Sequence, residues 1–122
     1  MKKVLLDTNF LIYCAKQKID YKDEIERLLK TKPDFEVSNL IIIELKKVKE
    51  QAKKYSDKQA AELALKLLEF NKVKTVKVKE KTADEALINA SKGNIVATHD
   101  LALMRRVERA ITIRGKKKVD FR

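Results

Sequence analysis

Lys3-Val4-Leu5-Leu6-Asp7-Thr8-Asn9-Phe10 is the stretch on which the fold turns. A short apolar run that stops on an acid reads as a buried parallel strand handing over to a helix, here Asn9 to Lys16. Far along the chain the pattern recurs as Asn94-Ile95-Val96-Ala97-Thr98, with His99-Asp100 leading into a helix from Leu101 to Arg109. Between these two points helices and strands alternate. Asp20 to Leu29 repeats Ile25, Leu28 and Leu29 on a charged background, an amphipathic helix with Asp20 as its cap. Pro33 closes that unit. Phe35-Glu36-Val37 is a minimal strand, and Ser38 can cap a helix running from Asn39 to about Tyr55. A second helix, Asp57 to Phe70, is built on Ala60, Ala61, Leu63, Ala64, Leu67 and Leu68. Val73 to Val78 alternates Val and Thr with Lys, which is strand periodicity with one wet face. Thr82 to Ser91 is a helix that Gly93 ends as a left-handed cap. Ala110 to Ile113 is the last strand. This alternation predicts an α/β three-layer sandwich around a mainly parallel sheet. It forms one domain, residues 1–122, with a basic C-terminal tail at 115–122.

Composition narrows the class. In 122 residues the hydrophobic fraction is 44%, enough for a core and too high for a disordered chain. Two Gly and one Pro argue against a turn-dense all-β fold, and one cysteine, Cys14, excludes an internal disulfide framework or a four-Cys zinc site. A single thiol is compatible with a reducing, cytoplasmic setting. No apolar run is long enough to span a bilayer, and Met1 to Leu6 reaches Asp7 before any signal-peptide core can form. The net charge of +11 is unevenly spread: residues 1–44 sum to zero, 45–81 to +7, 82–100 to −2 and 101–122 to +6. Two basic segments flanking an acidic island fit a polyanion track. A Lys-rich, heat-adapted surface explains the same charge.

The acids carry the sharper signal, because ligands of open α/β sheets sit at the carboxyl ends of the strands. Asp7 ends the first strand, and Asp100 lies just beyond the fourth. Each has a structural alternative, since Asp7 and Asp100 can both cap the helix that follows. Glu44 falls within the stripe Leu40, Ile41, Leu45 and Val48, where a glutamate either does chemistry or pairs with a buried cation. Thr82 and Glu85 fit a capping box, which leaves Asp84 as the better candidate for chemistry and Glu85 as its rival. His99, the only histidine, can be a base or a ligand, although a loop histidine commonly is neither. Carboxylates gathered at one sheet edge repel each other unless a hard cation joins them, and oxygen donors suit Mg²⁺ or Mn²⁺ in preference to Zn²⁺. Two such ions, roughly 3.5–4 Å apart, can activate a water and stabilise the leaving oxygen of a phosphodiester.

Four motifs in order, Val4-Leu5-Leu6-Asp7-Thr8-Asn9-Phe10, Glu44, Thr82-Ala83-Asp84-Glu85-Ala86-Leu87-Ile88 and Ile95-Val96-Ala97-Thr98-His99-Asp100, resemble those of PIN-domain nucleases over roughly residues 2–115. The resemblance implies a three-layer α/β/α fold with a five-stranded parallel sheet. It also implies a metal-dependent endoribonuclease acting on single-stranded RNA. It assigns Mg²⁺ or Mn²⁺ to the acids matching Asp7, Glu44, Asp84 and Asp100, a nearby hydroxyl to Thr98, and a place in the first motif to Thr8 and Asn9. The third motif departs from the family, whose closest versions often read Asp-Asp where this chain has Asp84-Glu85, so either can be the ligand. The Asp-Thr-Asn-Phe opening, the Ile-Val-Ala-Thr-x-Asp motif and Arg105-Arg106 are most similar to the branch that processes small-subunit ribosomal RNA and to its archaeal relatives. VapC-type toxins come second.

The function expected is therefore metal-assisted hydrolysis of RNA, single-stranded or structured ribosomal RNA. Lys46, Lys47, Lys53, Lys54, Arg105, Arg106, Arg109, Lys116 and Lys117 are expected to grip its backbone. Candidate partners are a second copy of the chain, ribosome-assembly factors or an antitoxin, and no membrane. The alternatives are a non-catalytic PIN-like RNA-binding or assembly module and a phosphate-transferring enzyme with Asp7 as nucleophile. The last would need a second acid or a phosphate-binding residue soon after Asp7, and Thr8-Asn9-Phe10 offers none.

Overall fold

β1 (Lys3–Leu6) is buried from Val4 to Leu6 and pairs in parallel on both sides, which is why it reads as a continuous apolar run. In the computed structural model, which describes residues 2–115 and 117–122, α1 (Thr8–Gln17) and α2 (Tyr21–Leu29) follow. Next come β2 (Asp34–Ser38), α3 (Asn39–Gln51), α4 (Tyr55–Phe70), β3 (Lys74–Val76) and α5 (Ala83–Ala90). β4 (Ile95–Ala97), α6 (Leu101–Met104), β5 (Ala110–Arg114) and β6 (Lys118–Phe121) complete the order. The strands form one sheet in the order β3-β2-β1-β4-β5-β6, parallel throughout except for the last pair. Right-handed crossovers then place α1 to α4 on one face and α5 and α6 on the other. The chain winds outward from β1 to β3, returns, and winds the other way from β4. The seam between β1 and β4 is thus the switch point at which such sheets open a crevice beyond their carboxyl ends.

The core runs through both layers. Val4, Leu6, Phe10, Ile25, Ile41, Leu45, Val96 and Ile111 are all fully buried, and Tyr21 meets Phe10 and Phe35 edge-on with ring centroids 6.3 Å apart. α1, α3 and α4 pack on one another through the alanines of α4, and an ion pair between Lys16 and Asp57 ties α1 to α4. Lys3 Nζ pairs with Glu36 Oε2 at 2.9 Å across the β1–β2 seam. Among the described residues no helix is long and apolar enough to cross a membrane.

Four boundaries differ from the sequence expectation, each for a physical reason. α3 stops at Gln51 and α4 starts at Tyr55, because Ala52 is extended and the chain reverses through Lys53 and Lys54. β3 is only three residues long, since its Lys-rich continuation leaves the sheet edge after Val76. The helix expected from Leu101 to Arg109 is a single turn, Leu101–Met104. It buries Leu103 and Met104 and then has mainly charged residues to offer, so the chain tightens through turns into β5. The sheet has six strands where five were expected. Residues 118–121, expected as part of a basic tail, form β6, which pairs Phe121 with Ile111 and Val119 with Ile113 and buries Val119. Gly115, at φ +64, makes the left-handed turn that this hairpin needs.

Candidate active site

Asp7 is where β1 ends and α1 begins. Its backbone N–H still bonds to Ala97 O of β4 at 3.0 Å, while its side chain caps α1, Oδ1 accepting the Thr8 N–H at 2.8 Å. Oδ2 accepts the Thr98 hydroxyl at 2.6 Å from the end of β4. Thr98 is fully buried and has one hydroxyl hydrogen, so the 2.6 Å contact takes it in preference to Asn9 Oδ1 at 3.4 Å. The hydroxyl oxygen in turn accepts the Asp100 N–H at 3.1 Å. The two apolar-run-then-acid motifs are thus joined side by side at the switch point through one hydroxyl.

The other acids arrive from separate elements. Thr8 donates its hydroxyl to Glu44 Oε1 at 2.6 Å, which links α1 to α3. Glu44 is exposed: α3 buries Ile41 and Leu45, and Glu44 stands on the border of that stripe, facing the cleft, and not inside it. Asp84 lies in the first turn of α5, and the two like charges acting most strongly on Asp7 are Asp84 and then Glu44. Beside it, the backbone N–H of Glu85 is held by Thr82 Oγ1 at 3.2 Å, as the capping pattern predicts. Asp100 caps α6, and its Oδ1 accepts from Ala102 N–H at 2.9 Å and Leu103 N–H at 3.2 Å.

Asp7 is 5% exposed, and burial pushes its carboxyl up to about 6. The Thr98 and Thr8 hydrogen bonds work against this rise, and the Asp84 and Glu44 charges add to it. Among the described residues no lysine or arginine forms an ion pair with Asp7, Glu44, Asp84 or Asp100. Such a carboxyl has an unmet demand for positive charge, and its all-oxygen surroundings suit a hard divalent ion. Among the described residues, no three carboxylate, imidazole or thiol groups stand close enough together to hold an ion. Hydrogen bonds through Thr8 and Thr98 link Asp7 to Glu44 and to the Asp100 backbone without forming a closed cage.

Asn9 anchors the β4–α6 loop, Oδ1 accepting the His99 N–H at 2.9 Å. One turn further along α1, Tyr13 stacks on the His99 ring at 4.5 Å and 26°. Burial pushes the imidazole pKa down, and Nε2 is buried with no hydrogen-bond partner among the described residues. The His99 ring thus packs against α1 as a wall of the loop. The Tyr13 contact escaped the sequence reading, and the i, i+4 spacing of Asn9 and Tyr13 on one helix face was its available signal.

The basic residues fall into two groups. Lys46, Lys47, Lys53, Lys54, Arg105, Arg106, Arg109 and Lys117 are all exposed, and what separates them is the sheet edge they lie at. Lys117 lies in the β5–β6 turn at the same sheet edge as Asp7, beside Arg114 and Lys118. Lys116 lies outside the described residues. Arg109 precedes β5, at the opposite end of the parallel strands, with its guanidinium 4.8 Å from the centre of the Phe121 ring.

A model of the family described as PIN like domain matches residues 4–116. The chain is similar to Ribonuclease VapC4 of Methanocaldococcus jannaschii, 42% identical over 110 residues that cover 84% of this chain and 80% of that protein. Among solved structures it resembles that of the PIN domain endonuclease Utp24, with a TM-score of 0.78 and 22% identity over 98% of this chain and 90% of that one. A domain of a functionally unknown protein from Methanocaldococcus jannaschii is also similar, with a TM-score of 0.60 and 14% identity over 97% of this chain and 95% of that one. At these identities the two structural likenesses speak for the fold alone.

Proposed function

Because the chain belongs to the PIN-like domain family, we propose that it is a divalent-metal-dependent endoribonuclease that hydrolyses single-stranded RNA at the crevice between β1 and β4. The observation that carries this reading is Asp7: a buried carboxyl, raised to about 6, ringed by like charges and unpaired with any described cation. Asp7, Glu44 and Asp84 would hold Mg²⁺ or Mn²⁺, with Asp100 completing the set or orienting water. An ion held there would supply the Lewis acidity that activates a water and stabilises the leaving oxygen of a phosphodiester. The chain's own residues prepare the place. Thr98 and the Thr8 N–H hold both oxygens of Asp7, so the carboxylate cannot rotate away. Thr8 orients Glu44 from the facing helix. The exposed lysines of 46–54, with Arg105, Arg106 and the β5–β6 turn, supply the charge that holds RNA phosphates.

The likeness to Ribonuclease VapC4 favours a toxin-type role, with a protein antitoxin as partner. Processing of ribosomal RNA, alone or with assembly factors, is the second reading, and what supports it is the resemblance of the Asp-Thr-Asn-Phe opening and the Ile-Val-Ala-Thr-x-Asp motif to that branch of the family. The experiment is incubation of the purified chain with end-labelled single-stranded RNA and with ribosomal RNA, in Mg²⁺, in Mn²⁺ and in EDTA. Cleavage with either metal and none in EDTA is expected. Binding without cleavage under all conditions would make the chain a non-catalytic RNA-binding module.

A further inference from the structure

α5 carries Asp84 but has little packing to hold it. The residues it buries are Ala83, Ala86 and Leu87, two of them alanines. Between the helix and the sheet lies a cavity of about 60 Å³, walled by Leu5, Val76, Ala86, Leu87 and Ala90. A helix resting on small side chains over a void gains little dispersion energy from its exact position. Its placement must come from elsewhere.

At its far end Asn94 holds it, Nδ2 donating to Ala90 O at 2.8 Å while Oδ1 accepts the Lys3 N–H of β1 at 3.0 Å. At the end that bears Asp84, two side-chain hydrogen bonds act on the segment between β3 and α5, residues 77–82, which forms neither helix nor strand. Asn39, the first residue of α3, accepts the Val78 N–H on Oδ1 at 2.9 Å, across 39 positions of sequence. Glu80, two residues on, accepts from Asn89 Nδ2 near the end of α5 at 2.9 Å. The chain is thus clamped from α3 to the loop and from the loop to the helix that bears Asp84. α3 is also the helix that carries Glu44. One rigid element therefore holds one acid directly and a second acid through a tether.

We propose that Asn39 is a positioning residue that sets where Asp84 stands relative to Asp7 and Glu44. The inference rests on the metal reading of those acids. A polar side chain at the start of a helix has an ordinary structural use, and the alternative is that Asn39 serves only the stability of the β3–α5 loop. The two roles separate in a double-mutant cycle read by Mn²⁺ binding without RNA, using isothermal titration calorimetry on the full chain.

Asn39→Ala should weaken Mn²⁺ binding about tenfold, the scale seen when a residue that orients a metal ligand is removed. Asn39→Asp, whose carboxylate can accept the same Val78 N–H, should restore affinity to within about threefold of wild type. In an Asp84→Asn background, Asn39→Ala should cause no further loss, because the tether then has no ligand to place. Unchanged Mn²⁺ affinity in Asn39→Ala, or the same tenfold loss in the Asp84→Asn background, would overturn the positioning role. Asp84→Asn binding Mn²⁺ like wild type would instead remove Asp84 from the ligand set and take the tether's role with it.

Discussion

Asp7 gathers the physical chemistry of the whole site in one side chain: it caps α1, accepts the Thr98 hydroxyl, and sits buried among like charges. Its pKa, raised from 3.8 to about 6, means that the folded state holds its proton more tightly than the unfolded chain does. The stabilisation of the protonated form is fully present below pH 4 and is lost as pH rises through about 6. Without metal, ionised Asp7 therefore costs the fold up to about 3 kcal/mol at neutral pH, two pKa units at 1.36 kcal/mol each. In EDTA, thermal unfolding should show Asp7→Asn more stable than wild type at pH 7.5, with the gap closing near pH 4. Equal stability of the two proteins at pH 7.5 would mean that Asp7 is not strained by its surroundings. The position of this residue was legible in sequence because an acid ending an apolar run is conspicuous. Its tie to Thr98 was not, because that bond depends on β1 and β4 being neighbours, and strand order is a long-range property.

At the scale of elements, strands and helices with strong apolar periodicity were legible, and those defined by what they pair with were not. α2 and α3 follow from their caps Asp20 and Ser38 and their apolar stripes, and β1 and β4 from their uninterrupted apolar runs. β6 escaped because Lys118-Val119-Asp120-Phe121 follows a run of lysines that reads as a solvated tail. Its alternation gains meaning only against the exposed edge of β5. The difference is measurable. Val119→Ala should lower unfolding stability by about 2 kcal/mol, since Val119 is buried in the core, whereas the same change in a free tail would be neutral. Glu44 shows the converse case. Its helix was readable, but its side chain lies at the edge of the apolar stripe, where Thr8 and not burial holds it.

Over the whole molecule, the charge pattern takes on a direction. Asp7 and Asp100 stand at the carboxyl ends of β1 and β4, and the β5–β6 turn, with Arg114, Lys117 and Lys118, stands at the same edge. Arg109 lies at the other. Exchanging Arg114 and Lys117 together for glutamate should weaken single-stranded RNA binding in EDTA and flatten its salt dependence by roughly 0.7 in log–log slope for each phosphate no longer neutralised. Arg109→Glu should leave both close to wild type, and the reverse ranking would place the RNA track on the opposite edge. In the proposed function, the frame of basic segments around an acidic island would hold a polyanion beside the carboxylates. The most direct measurement of that claim is cleavage of one labelled single-stranded RNA by wild type and by Asp7→Asn, in Mg²⁺ or Mn²⁺, with binding of the same RNA measured in parallel. Wild type should cut, and Asp7→Asn should bind equally well and leave the RNA whole. Cutting by Asp7→Asn at the wild-type rate would contradict the account.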